Sequence, residues 1–434
     1  MRLYIKQAPK RIVLLYMIFV FLLYMFSALN WTREHIFLMI IFYISVLLSI
    51  NYGFKCGYRL PMKNKKKIFI NNRWLNILLI LCIVDLYPFL MISLASETVS
   101  LNVILSKIVL ASQGFGDAYY ERGENILAIS IFENSWLLYH FLFSPLCTLV
   151  IYNCILFFSR VSIFQRTVTV FVVVVQVCSY IIVGTNKLIF DYLALFFFAL
   201  LLSTCKNVNA RFIKLTLGGK NVFLLVVLVL AALIFFCGSY SSRIQDKKSF
   251  GVNTISGNKI NSENMVLVPE DMRSSILGFS SYLTQGLEHL DWALGMDFQW
   301  CYGLGSSKYL ANFLQKMGVN ADEIEKRTYE YRISQKEGVK NGQYWYSAYV
   351  AFANDVTFFF VPMLIFILAI IWGHYWKLCL NSNDLTCFPI FVLLGICFFY
   401  LNANNQIFGK AQLLIFIPLY VLSKFFDIQI VRNK

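Results

Sequence analysis

Charge is scarce in this chain. Only 14% of its 434 residues are Asp, Glu, Lys or Arg, where globular domains carry about a quarter. With 59% hydrophobic and 17% aromatic residues, it has more apolar surface than a water-soluble core can hide, so an integral membrane protein is expected. Histidine is scarcer still. There are four, His35, His140, His289 and His374, with no H-E-x-x-H and no His/Cys set at metal-ligand spacing. A metal hydrolase is therefore disfavoured, and neither a metal nor a cofactor is expected. The eleven cysteines are scattered, most of them inside apolar runs (Cys82, Cys147, Cys154, Cys178, Cys397), with no C-x-x-C. They read as small buried hydrophobes. No G-x-S-x-G elbow and no repeat period is present.

What the chain has is long apolar runs. About 20 apolar residues span a bilayer, and ten candidates reach or approach that length: Arg11–Leu29, His35–Phe54, Trp74–Ala95, Trp136–Phe158, Thr167–Gly184, Leu188–Cys205, Val222–Gly238, Val356–Trp376, and the shorter Phe388–Leu401 and Gln412–Phe426. The basic start, Lys6-Gln-Ala-Pro-Lys10-Arg11, resembles a signal peptide. Its apolar run is too long and lacks an A-x-A-like site, so it reads as an uncleaved first span.

The net charge of +15 would suggest nucleic acid in a soluble chain. Here it is a topology signal, and no nucleic-acid partner is expected. With the N-terminus inside, inner loops hold Lys55, Arg59, Lys63, Lys65, Lys66, Lys67 and Arg73, then Arg160 and Arg166, then Lys206, Arg211, Lys214 and Lys220. The short outer turns hold only Arg33, Lys187 and Lys410. This asymmetry places both termini in the cytoplasm. The expected organisation is residues 1–238 with spans one to seven and a small acidic outer loop at 96–135, a large outer loop at 239–346, and residues 347–434 with the last three spans.

In the large loop, 239–270 is rich in Ser, Asn and Gly. Asp271–Leu294 follows with an apolar stripe at helical spacing (Ile276, Phe279, Leu283, Leu287, Leu290, Leu294) and, on another face, Tyr282, Gln285 and His289. Trp300-Cys-Tyr-Gly-Leu-Gly-Ser-Ser-Lys308 suits a tight turn, and its free N–H groups suit an anion. Ala321–Gln335 reads as one helix. It would pair Arg327 with Tyr331 and Thr328 with Arg332 at i, i+4, or Glu323 with Arg327. Asn354-Asp355 stands at the head of the eighth span, where an acid is costly unless paired or functional. Lys187 and Asp191 are spaced to pair. Three amides after Asn402 suit either hydroxyl-rich ligands or a loop.

Basic residues on an outer loop suit a diphosphate leaving group. Arg binds phosphate bidentately and neutralises charge on a leaving oxygen without a metal. No ATP exists outside a bacterial membrane, so a transferase there needs an activated donor such as a lipid-diphosphate sugar.

The ordered set Gly184-Thr-Asn-Lys187, Ser281-Tyr-Leu-Thr-Gln-Gly286, Trp300…Gly303-x-Gly305-Ser-Ser, Thr328-Tyr-Glu-Tyr-Arg-Ile333 and Trp345-Tyr-Ser-x-Tyr…Asn354-Asp-Val resembles the bacterial O-antigen polymerases of the Wzy type. The resemblance runs from Gly184 to about Leu364. One departure is Leu287-Glu-His-Leu290, where a Tyr-Tyr-Gly kind of sequence is expected after T-Q-G. The resemblance implies an all-α polytopic membrane protein of about ten transmembrane helices with one large periplasmic loop, similar to metal-independent membrane glycosyltransferases. It implies a multi-pass protein of the bacterial inner membrane that polymerises undecaprenyl-diphosphate-linked oligosaccharide, beside a flippase and a chain-length regulator. Arg273, Arg327 and Arg332 would hold the diphosphate, with Lys187 adding charge. Tyr282, Gln285, Gly286, His289 and Tyr331 would bind the sugars. Asp355, or else Glu288 or His289, would take the acceptor proton. The nearest rival is an O-antigen ligase. A lipid-linked oligosaccharide flippase is the rival of another class, disfavoured by few mid-span charges, Asp85 being the clearest.

Overall fold

The computed structural model describes residues 7–26, 29, 31, 33–62, 65–113, 118, 135–205, 270–315, 318–338, 346–406 and 412–430. The protein is mostly helical. Among the described residues, seven helices are long and apolar enough to cross a membrane: α1 (Ala8–Met25), α2 (Ile36–Arg59), α3 (Asn72–Leu94), α5 (Ser135–Leu156), α6 (Ile163–Ile182), α7 (Lys187–Cys205) and α12 (Ala348–Asn381). They coincide with expected spans one to six and eight. The ninth and tenth are the shorter α13 (Cys387–Tyr400) and α14 (Gln412–Phe425). The seventh, Val222–Gly238, lies outside the described residues. So do 239–269 and most of the 96–135 loop, whose Leu101–Gln113 forms α4. The large loop contributes α8 (Glu270–Leu294), α9 (Lys308–Gln315), α10 (Ala321–Arg327) and α11 (Tyr329–Glu337).

The chain divides into two compact units. One comprises Met1–Met62, Ser249–Lys377 and Leu393–Leu413; the other comprises Lys63–Lys248, Leu378–Val392 and Leu414–Lys434.

In the first unit α2 and α12 cross at backbone contact. A Cβ on Gly57 would stand 1.9 Å from the Ile370 carbonyl oxygen, one on Gly53 2.5 Å from that of Phe366, and one on Gly373 2.2 Å from that of Phe54. Gly53 and Gly57 form a G-x-x-x-G pair, the small-residue spacing that lets apolar helices touch in lipid. The same unit packs α8 on α1 and α2, and over its second half both the polar face and the apolar stripe are buried. Ser281, Thr284, Gln285, Glu288, His289 and Asp291 are all buried, as are Leu287 and Leu290 of the apolar stripe, while Ile276 at its start is exposed. Thr284 accepts a hydrogen bond from the Trp31 indole at 3.0 Å, and Asp291 accepts one from the His35 N–H at 3.1 Å, at the head of α2.

Two helices depart from their sequence readings. The first is α12, which begins eight residues before the expected eighth span and is broken at Thr357 (φ 60°, ψ 158°). That backbone region is nearly reserved for glycine and costs a β-branched residue about 1–3 kcal/mol. The break orphans carbonyls of the preceding turn, and the Cys301 N–H takes that of Asn354 at 3.1 Å. The second is 321–335, which is two helices and not one. Thr328 (φ −64°, ψ 147°) closes α10 and caps α11, its hydroxyl accepting from the Tyr331 N–H. The expected i, i+4 pairings across Thr328 are therefore not made.

In the second unit α3 packs on α5 and α6, and α7 on the same two. Pro88 and Pro145 lie inside α3 and α5. A Ser162–Gln165 capping box starts α6. The all-α reading missed one feature, a two-stranded parallel ladder of β1 (Lys66–Ile70) and β2 (Phe426–Ile430). Asp384 holds it, accepting from Ile428 N–H and pairing with Lys65 at 3.1 Å.

Candidate functional site

The candidate site is built around Asn354 and Asp355, the last polar residues of α12 before its break. The Asn354 side chain donates to Glu330 Oε2 at 2.7 Å and to the Gly305 carbonyl at 3.3 Å, and accepts from the Tyr329 N–H at 2.8 Å. One amide thus pins the start of α11 to the 301–307 turn. Asp355 pins the same turn from its other side. Its Oδ1 accepts from the Gly305 N–H at 2.9 Å, and its Oδ2 from the Ser306 N–H at 2.7 Å and the Ser306 hydroxyl. Asn405 completes the turn's anchorage by donating to the Ser306 carbonyl at 2.8 Å. Glycine is required at 305, because a Cβ there would stand 2.5 Å from the Cys301 side chain and 2.6 Å from that of Asn354. Tyr302 and Gly303 turn the chain with positive φ.

The expected residues separate into distinct roles. Asp355 carries three donors from the turn and serves as its latch. Arg327 pairs with Glu323 at 2.8 Å on the surface of α10 and lies over the Tyr302 ring. Its hydrogen bond to Glu323 holds its proton more firmly than usual. Arg332 is different. Its guanidinium carbon lies 4.8 Å over the Tyr329 ring, while Nε and Nη2 are buried without a hydrogen-bond partner among the described residues. Tyr331 is half-buried on α11. Of Arg273, only its place on α8 is described; its side chain lies outside the described residues.

On α8, Gln285 is buried and Tyr282 half-buried. His289 is buried with its ring 4.4 Å from that of Tyr346. Gly286 is a packing residue: a Cβ there would meet the Asn402 carbonyl oxygen at 2.1 Å. Asn402 in turn binds the Tyr43 and Tyr349 hydroxyls, so the amides after the ninth span hold a loop together. Lys187 belongs to the other unit and pairs there with Asp191 at 3.0 Å.

Sequence reading missed Glu330, Asn354 as an anchor, and Cys301. Burial raises the Glu330 carboxyl above its ordinary range, with the Asn354 hydrogen bond and Arg332 opposing and the Asp355 charge adding. Burial pushes the Cys301 thiol up to about 12, helped by the Asp355 and Glu330 charges, which makes it an inert packing residue. Burial also raises Tyr329, which Arg332 opposes.

The polar cluster borders an apolar surface. Tyr329 lies 5.2 Å from the Phe358 ring. The next residues of α12, Phe359, Phe360 and Met363, are 83%, 51% and 60% exposed. Arg332, the Tyr329 and Phe358 rings and the exposed apolar residues of α12 thus form a connected series. No family model matches the chain, and neither curated proteins nor solved structures give a match.

Proposed function

We propose that this protein is a membrane glycosyltransferase of the O-antigen polymerase kind. It joins oligosaccharide units carried on undecaprenyl diphosphate at the periplasmic face of a bacterial inner membrane. The observation that carries the reading is Arg332. A half-buried arginine with two buried, unclaimed nitrogens is costly without an anion, and a diphosphate supplies oxygens in the fork geometry it binds. The apolar face after Thr357 suits the polyprenyl chain, and the half-buried Tyr282 and Tyr331 suit sugar rings. Arg332 stabilises the charge that develops on the leaving diphosphate. The test is Arg332→Ala in a polymerase-null strain. Long lipopolysaccharide ladders are lost and single capped repeats remain. Ladders of wild-type length refute the reading, and loss of even the single repeat favours a ligase.

One feature favours the flippase instead. In the second unit Asp85 of α3 and His140 of α5 form a pair at 2.8 Å, buried between two proline-bearing apolar helices. Intramembrane pairs of this kind mark transport paths. A variant Asp85→Asn that blocks appearance of lipid-linked repeats on the outer face, in a strain whose polymerase is otherwise supplied, supports that reading.

A further inference from the structure

Four acidic side chains of the first unit bear on where an acceptor proton can go, and three are either held by donors or fully enclosed. Asp355 carries three donors. Asp291 is fully buried at the head of α2. Glu288 is buried on the packed face of α8. Glu330 is the fourth. It is half-buried on the first turn of α11, two residues from Arg332, and Asn354 is its one side-chain partner among the described residues. The Asn354 amide fixes Oε2 and so orients the carboxylate beside Arg332. From the proposed transferase reading, on which this rests, we infer that Glu330 is the catalytic base that takes the proton of the acceptor sugar hydroxyl.

The step balances without a co-reactant. The hydroxyl proton moves to the Glu330 carboxylate, and the hydroxyl oxygen bonds to the anomeric carbon of the donor. The bond from that carbon to the diphosphate oxygen breaks, and its electron pair leaves on the lipid diphosphate beside Arg332. Water then takes the proton from Glu330. The groups facing the carboxyl are Asn354 and Asp355 from α12, Arg332 from α11, and Cys301 from the turn. Burial and Asp355 raise Glu330 toward the working pH, which suits a base.

The experiment compares Glu330→Gln, Glu330→Asp and Arg332→Ala, each purified in detergent, for binding of undecaprenyl diphosphate and for the rate of polymerisation at several pH values. Glu330→Gln keeps the hydrogen bond from Asn354. It binds the probe as the wild type does and loses about 10²–10⁴-fold in rate. Glu330→Asp recovers part of the rate and shifts the pH at which the rate climbs. A Gln variant that polymerises within a few-fold of wild type overturns the assignment, as does an unshifted pH profile in the Asp variant. Arg332→Ala judges the underlying reading separately: if it still binds undecaprenyl diphosphate, the transferase site itself is misplaced.

Discussion

Replacing Asp355 by alanine removes the acceptor for three donors, the Gly305 and Ser306 N–H groups at 2.9 and 2.7 Å and the Ser306 hydroxyl. The hydroxyl can rotate to another partner; the two N–H groups are fixed by the turn and cannot. An orphaned buried donor costs about 1–3 kcal/mol. Gly305 and Ser306 are half-buried, so water recovers part of the loss and the low end applies to each, about 2–3 kcal/mol together. Asparagine retains one oxygen and can still hold one N–H, so Asp355→Asn loses about half as much. The assay is the unfolding midpoint of each purified variant in detergent, with protease sensitivity of residues 301–307 followed alongside. The expected order of stability is wild type, then Asn, then Ala, with activity falling in the same order as the turn loosens. The reasoning is refuted by an Asn variant that melts with the wild type, keeps a protected turn and yet makes no polymer. Asp355 would then be acting in the chemistry and not as a latch.

Two further outcomes follow from the same unit. Gly286→Ala places a methyl 2.1 Å from the Asn402 carbonyl oxygen. Backbone cannot yield as a side chain does, so overpacking costs about 1–3 kcal/mol, read as a lower unfolding midpoint with Gly286→Val worse than Ala. Burial raises the Asp291 carboxyl, the His35 N–H hydrogen bond opposing. A carboxyl so raised binds its proton more readily in the folded than in the unfolded chain. Its contribution is present below the ordinary carboxylate range and is lost as pH rises through the raised value. Asp291→Asn therefore gains on the wild type as pH rises from the ordinary carboxylate range, about 4, to pH 8, measured as the difference in unfolding midpoint; equal differences at both ends refute this.

The spans were legible because an apolar run of the right length is a strong signal in lipid-facing sequence. The ends of α2, α3, α5, α6 and α7 fall within a few residues of expectation, except that α2 runs on to Arg59. Local patterns could not show the rest. The β1–β2 ladder pairs Lys66 with Phe426, five-residue segments too short and too far apart for period to reveal. Nothing in Ala348–Asn381 marks Thr357 as a break, since the apolar run continues through it and the cause is tertiary, a backbone held by Cys301 and the 301–307 turn. The T-Q-G glycine and the Asn354-Asp355 pair were found as motifs, but the sequence could not show which of them lock segments together, for one physical reason. A residue that locks two segments together and a residue that binds ligand carry the same side chains. Only the count of partners separates them: three donors on Asp355, and none among the described residues on two nitrogens of Arg332.

The break at Thr357 gives the site its two-sided character. Without it α12 would continue as one apolar rod, and Asn354 and Asp355 would be polar residues with no reason to gather the 301–307 turn and α11 around them. With it, the carbonyl of Asn354 is free to be taken by Cys301, its side chain reaches Tyr329 and Glu330, and Arg332 comes to rest on Tyr329. A helix rises about 1.5 Å per residue, so beyond the break Met363 lies about 6 Å along the axis from Phe359. On the proposed reading, a diphosphate on Arg332 has its isoprene units against the exposed Phe359 and Met363. Substituting Phe359 and Met363 by serine leaves the Arg332 contacts untouched. It weakens binding of undecaprenyl diphosphate far more than binding of a short-chain diphosphate. Equal weakening for both chain lengths would mean that the apolar face and the guanidinium serve different ligands.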